Sequence, residues 1–315
     1  MKSHGRALRL RSSQGFSLIE LMVAMTIGLI ITIAVFSSYL GALGASKVTE
    51  AQSRMNEDAQ ATLTILTQQL RMAGNKPDKD YRIDDVPSSY FIRGCDGTFS
   101  NIKEAANLEK LTCNAAKTIA PDSIAISYEA DKYNTIRTSL ATGSLPTDCL
   151  GSKLLPSTGK LHTVVDSIDT LTDVAFAMTD IRFYIASTSS VPSLYCKGNG
   201  VDSKAQALVE NIEDMQFVYG MASPSTTEAE VRTAPVAGYI RADQFLDAGL
   251  KDDAASWGKN ITVRICILVR SDKPVLSSDT SAQYVKCDGT LDTTPPDFRL
   301  RRAYHTTVVL RNRRN

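Results

Sequence analysis

Only a few residues of this chain have the type and spacing that chemistry needs. One is Glu20, which stands at the head of an uncharged run. The next charge is Lys47, so the 26 residues from Leu21 to Ser46 carry none. A carboxylate at the edge of a membrane-length apolar stretch is costly unless it is paired, and it therefore marks function. Another is the Gly15–Phe16 bond, which separates a basic leader from that run. The third set is six cysteines, Cys95, Cys113, Cys149, Cys196, Cys266 and Cys287, all beyond the apolar run. An even number of cysteines in an exported domain makes a disulfide framework. Several connectivities are open to six cysteines, and pairing between sequence neighbours is expected: Cys95–Cys113, Cys149–Cys196 and Cys266–Cys287. No pair has C-x-x-C spacing, which argues against redox and zinc chemistry.

The other reactive side chains point to less. The histidines, His4, His162 and His305, lack metal-ligand spacing, and no nucleophile-elbow sequence accompanies them. Asp78, Asp80, Asp84 and Asp85 crowd one stretch, without the EF-hand order and with Lys76, Lys79 and Arg82 offsetting them. A solvated loop is expected there, and no metal or cofactor. Arg299, Arg301, Arg302, Arg311, Arg313 and Arg314 make a basic tail. It suits a protected strand edge or an acidic protein partner better than nucleic acid, because aromatic interleaving is thin. No catalytic site is expected.

These groups are positioned by two kinds of element. Leu21 to Phe36 is almost wholly apolar and, with its flanks, long enough to cross a bilayer as a helix. Its basic flank, Lys2, Arg6, Arg9 and Arg11, is N-terminal, which keeps the leader cytoplasmic. Beyond Ser46, Val48, Ala51, Met55, Ala59, Leu63, Leu66, Leu70 and Ala73 recur every three or four residues, one face of a helix. Gly74 and Pro77 supply a stop. From Phe16 to Ala73 the 58 residues would make a helix of roughly 87 Å, with Gly28 and Gly41 as its soft points. Strand patterns follow at Ser123–Tyr128, Leu161–Val165, Ile181–Ala186, Glu213–Tyr219, Ile261–Arg270, Gln283–Lys286 and Ala303–Leu310. Short helices are expected at Ile102–Lys110 and Ala242–Leu250. The fold class is α+β: a long N-terminal helix on a disulfide-stabilised, mainly antiparallel sheet.

Composition agrees. The 315 residues are 43% hydrophobic and 22% charged, which suits neither a disordered chain nor a polytopic membrane protein. The balance of 35 basic and 34 acidic side chains gives +1. Without the fifteen-residue leader it is 31 against 34, or −3 over 300 residues. Neither figure favours a polyanion partner.

Gly15-Phe16-Ser17-Leu18-Ile19-Glu20, after a basic leader and before an apolar run, resembles the prepilin signal of type IV pilins and type II secretion pseudopilins. The blocks Leu208 to Gly220 and Ile261 to Ser271, with the ending Leu310-Arg311-Asn312-Arg313, resemble PilW-type minor pilins. Residues 77 to 205 carry no such resemblance. It implies that a prepilin peptidase/N-methyltransferase cuts after Gly15 and methylates Phe16. It also implies that Glu20 pairs with the new amine of a neighbouring subunit. The residues themselves leave open a second role, in which Glu20 serves its own helix N-terminus. The implied parts are a leader, 1–15; a membrane and filament-core half-helix, 16–46; an amphipathic half, 47–74; and a periplasmic or extracellular head, 77–315. The implied partners are other minor pilins, the major pilin, the inner membrane and the pilus assembly platform. The implied place is first the inner membrane, with the head periplasmic, then the pilus tip. The implied function is initiation of type IV pilus assembly, in support of twitching motility and adhesion. A J-type pseudopilin of type II secretion is the alternative, and a membrane-anchored adhesin or periplasmic enzyme comes after it.

Overall fold

The computed structural model describes residues 15–75, 90–114, 120–131, 133–138, 144–165, 168–223, 235–245 and 249–312. Asp78, Asp80, Asp84, Asp85, Pro77 and His4 lie outside the described residues. The chain divides into two compact units, Met1–Glu50 and Ala51–Asn315.

Helix α1 (Leu18–Met72) is continuous through 55 residues, including Gly28 and Gly41. Among the described residues it is the one helix long and apolar enough to cross a membrane. Its polar side chains in the apolar part do not need water. The hydroxyl of Thr26 donates to the Val23 carbonyl, Thr32 to Gly28, and Ser37 and Ser38 to Ala34. Such back-bonds leave lipid nothing polar to solvate.

In the second unit α1 buries Met55, Ala59, Thr62, Leu66 and Leu70. The expected stripe is therefore rotated slightly. Thr62 takes a fully buried position, while Ala51 and Leu63 are only half-buried. Gly74, at φ 75°, ends the helix in the left-handed conformation that glycine tolerates, and its N–H donates to the Ser127 carbonyl at 2.9 Å.

The strands are β1 (Ile92–Cys95), β2 (Ser123–Glu129), β3 (Ser157–Val165), β4 (Ile168–Phe176), β5 (Met178–Thr188), β6 (Val191–Lys197), β7 (Gln206–Glu210), β8 (Ile212–Ala222), β9 (Val236–Ile240), β10 (Asn260–Arg270), β11 (Tyr284–Val285), β12 (Leu291–Asp292) and β13 (Arg301–Val309). One sheet has the order β1-β2-β5-β6-β7 and another β13-β10-β8-β9. β3–β4 and β11–β12 form two-stranded hairpins. All strand pairs are antiparallel. Asn211, at φ 63°, turns the chain from the first large sheet into the second. The two sheets and the second half of α1 share one core, in which Leu66 and Leu70 meet Ile126, Phe183, Phe217, Val263 and Ile265.

The two expected short helices are not there. Ile102–Lys110 is a chain of turns with a 3-10 turn at Leu108–Lys110 only. Two guanidiniums from the sheet explain the difference. Arg182 donates to the carbonyls of Ile102 and Ala105, at 2.8 and 2.7 Å. Arg93 donates to those of Leu108 and Leu111, at 2.9 and 2.7 Å. Both arginines are buried. Carbonyls satisfied in this way need no helical ladder. In the second case the 3-10 turn covers Ala242–Gln244, after which Phe245 enters the core and stacks on Trp257 at 4.2 Å. Packing of that ring wins over helix continuation. Helices α2 (Ala254–Gly258) and α3 (Asp279–Ala282) were not legible in the sequence pattern.

The disulfides are Cys95–Cys113, Cys149–Cys196 and Cys266–Cys287, and no described cysteine is free. Each closes a short excursion onto a sheet, and such loops contribute about 2–4 kcal/mol apiece. Two sit beside Asp-Gly turns, with Gly97 at φ 94° and Gly289 at φ 84°. Alkylation of the exported chain under denaturing conditions without reductant is expected to label no cysteine. Labelling of any of the six after export would remove this framework.

Candidate processing and assembly site

The segment around Glu20 is built by helix initiation. Ser17 precedes the first helical residue, and its backbone N–H donates to Glu20 Oε2 at 3.0 Å. A carboxylate three residues into a helix satisfies an orphan donor and complements the positive dipole end. Within one chain, then, Glu20 serves its own helix N-terminus. Phe16 is 89% exposed and lies outside the helix. A side chain at Gly15 would meet nothing within 4 Å. The fold itself does not require glycine at the cleavage position, which leaves peptidase recognition as the reason for it.

The apolar residues that follow, from Leu18 to Leu43, are exposed all round the helix. Core packing of a soluble domain does not explain such a surface. Lipid or the apolar helices of other subunits do.

The charged residues of the second unit are mostly committed to internal partners. Arg301, with its side chain 1% exposed, grips Glu213 in bidentate fashion at 2.6 and 3.0 Å and reaches Asp297 at 2.7 Å. Arg270 also meets Glu213 at 3.3 Å, and Arg299 meets Asp297 at 2.8 Å. Burial alone would raise the Asp297 carboxyl. Hydrogen bonds from Arg301, the Arg299 amide and the Arg299 side chain instead hold it well below the usual carboxylate range. Arg302 lies over the Tyr304 ring, and Tyr304 donates to Asn56 on α1 at 2.6 Å.

The basic tail is therefore not one free patch. Arg301 and Arg299 are engaged, Arg302 and Arg311 are exposed, and Arg313 and Arg314 lie outside the described residues. β13 is an edge strand of its sheet, and charge there is a known protection against strand addition. His305 Nε2 lies 3.8 Å from the bonded Cys266 sulfur. The side chain of His162 is not described. Among the described residues no cluster of acids, histidines and cysteines has the arrangement to hold a metal.

Two family models match. The prokaryotic N-terminal methylation motif covers residues 10–36, and the Type IV Pilus-assembly protein W family, PilW, covers residues 182–312. The chain is a PilW-type pilin. Among solved structures, a type IV-like pilin from Thermus thermophilus is similar with a TM-score of 0.34 and 10% identity, over 83% of this chain and 99% of that one. No curated protein matches the chain.

The PilW region begins in β5 at Arg182 and runs through β13. It holds Glu213, Arg270, Asp297 and Arg301 together. Both sequence blocks that resembled the family thus supply residues of one ion network, Glu213 from β8 and Arg270 from β10. Sequence reading missed the pairing, because Glu213 and Arg301 are 88 residues apart. The only signal was a carboxylate beside a strand otherwise rich in apolar residues. Family and fold are those of a structural pilin rather than an enzyme, and the methylation motif implies processing by a prepilin peptidase. The apolar helix and the motif suit anchoring in the inner membrane.

Proposed function

We propose that this PilW-type minor pilin helps to initiate type IV pilus assembly, in a priming complex with other minor pilins that ends at the tip. The observation that carries the reading is an apolar helix, exposed on every side, that starts within five residues of a cleavable glycine and opens on Glu20. Cleavage after Gly15 turns the Phe16 nitrogen into an amine. That amine and Glu20 are each expensive in an apolar filament core and cheaper as an intermolecular pair. The helix enters the assembly, while a disulfide-bonded head of this size suits a terminal position better than a repeating shaft. The head is periplasmic before assembly and the leader cytoplasmic, as the basic flank favours. Twitching motility and adhesion follow from a functioning pilus.

Mass spectrometry of the chain recovered from membranes tests the first step. The expected N-terminal residue is N-methylated Phe16. A chain that retains its leader, or one that starts within Ala42 to Ala45, would mean a signal anchor or a secretory signal and would sink this reading. Sheared pilus fractions test the second step. The chain is expected there in low copy beside the major pilin.

A further inference from the structure

The seam between the two large sheets is closed by a carboxylate. Asp122, immediately before β2, is only 3% exposed. Its backbone N–H donates to the Met215 carbonyl of β8 at 2.7 Å. Its carboxylate accepts the Phe217 N–H of β8 at 2.8 Å and the Gly97 N–H, from the turn after β1, at 3.2 Å. One side chain thus substitutes for a strand neighbour at the unpaired side of β8.

This carboxylate is not alone. Asp96, in the turn after β1, lies within hydrogen-bonding reach of Asp122 on one side and of Asp243 on the other. Asp243 belongs to the 3-10 turn that follows β9, so the contact with Asp96 crosses from the first sheet to the second. Arg241 holds Asp243 at 3.1 Å and is the one cation acting on Asp96 and Asp122. From β8, the Tyr219 hydroxyl faces the same acids, fully buried and without a hydrogen-bond partner. Three carboxyls against one exposed arginine cannot all be ionised at low cost in such a place.

We propose that Asp122, Asp96 and Asp243 form a carboxyl chain that retains a shared proton at neutral pH, and that this proton latches the two sheets of the head. Burial comes first among the causes that push Asp122 up, to about 8, and it raises Asp96 as well; the negative charge of each raises the other. When the O–H bond breaks, its proton passes to water. A hydrogen bond between carboxyls then becomes a like-charge contact across the seam.

The sign follows from linkage. A carboxyl whose folded pKa exceeds its unfolded value binds more protons in the native state. Its contribution to stability is therefore greatest at acid pH and is lost as pH rises from about 4 to about 8. One retained proton corresponds to a loss of up to about tenfold in the folded-to-unfolded ratio per pH unit within that window.

The full chain in detergent micelles can be unfolded by urea at a series of pH values, as wild type and as Asp122→Asn. The amide cannot ionise, yet it still accepts one backbone N–H and donates to Asp96. Wild type is expected to lose stability relative to D122N by up to about tenfold per unit from pH 5.5 to 8. Parallel pH profiles for the two proteins would overturn the proposal. Should D122N fail to fold, infrared titration of wild type and D96N decides. A protonated-carboxyl band that disappears near pH 8 in wild type and moves in D96N supports the latch, and a wild-type spectrum without such a band at pH 7 overturns it.

Discussion

Glu20→Ala is expected to be cleaved and N-methylated normally and yet to leave cells with few or no pili where this chain is needed to start them. The peptidase acts at Gly15–Phe16, and the carboxylate lies five residues beyond that bond. Assembly is different, because the methylated amine of one subunit enters an apolar core. Removing one partner of a buried pair costs about 3–5 kcal/mol, which amounts to a loss of hundredfold or more in docking. Pilus counts by electron microscopy, beside mass spectrometry of the membrane form, separate the two steps. Normal counts with Glu20→Ala would refute the docking role.

Glu20→Gln tells apart the two roles of the carboxylate. The Ser17 N–H donates to Glu20 within the chain, and a glutamine oxygen accepts that bond equally well. If helix capping were the whole purpose, Glu20→Gln would assemble like wild type. If the charge pairs with a neighbour's amine, Glu20→Gln fails as Glu20→Ala does. The second outcome is the expected one.

Arg301→Ala is expected to lose about 3 kcal/mol of head stability, near the lower end for a broken buried pair. Its guanidinium is almost fully enclosed and is shared by Glu213 and Asp297. Arg270 and Arg299 remain to each carboxylate, so the loss stays below the extreme. Arg301→Lys should recover part of it, because a lysine cannot reproduce the bidentate grip. The urea midpoint of the solubilised chain reads both. The acid limb is a further readout of the same network. Asp297 is held below its usual range, so its contribution is complete above the unfolded value near 4 and is lost as pH falls further. Thermal unfolding between pH 5 and pH 2 should be shallower in Arg301→Ala. An unchanged midpoint together with an unchanged acid limb would show that the network does not stabilise the head.

Local pattern carried the sequence reading as far as it went. An apolar run bounded by Glu20 and Lys47 states a membrane-length helix without reference to anything distant. The recurrence of Met55, Ala59, Leu66 and Leu70 likewise states which side of the next turns is buried. β10 was legible because it is apolar throughout, as a strand covered on both faces must be. β4, β6, β7 and β9 were missed. Their residues alternate weakly, and β7 and β9 are largely exposed. At Ile102–Lys110 the apolar spacing suggested a helix. The carbonyls there belong to Arg93 and Arg182, which no local window contains.

The sequence by itself determined the processing signal, the membrane-length helix, the export of a cysteine-bearing domain and its strand-rich class. Each of these depends on residue type and on spacing along the chain. Only the tertiary structure decided which charges meet. It set Glu213 against Arg301, used two buried arginines in place of a helix, and placed Asp122 across the seam of two sheets. A long-range partner is chosen by the closure of loops and by the cost of leaving a buried charge unpaired. That cost exists only once the chain has folded around the charge.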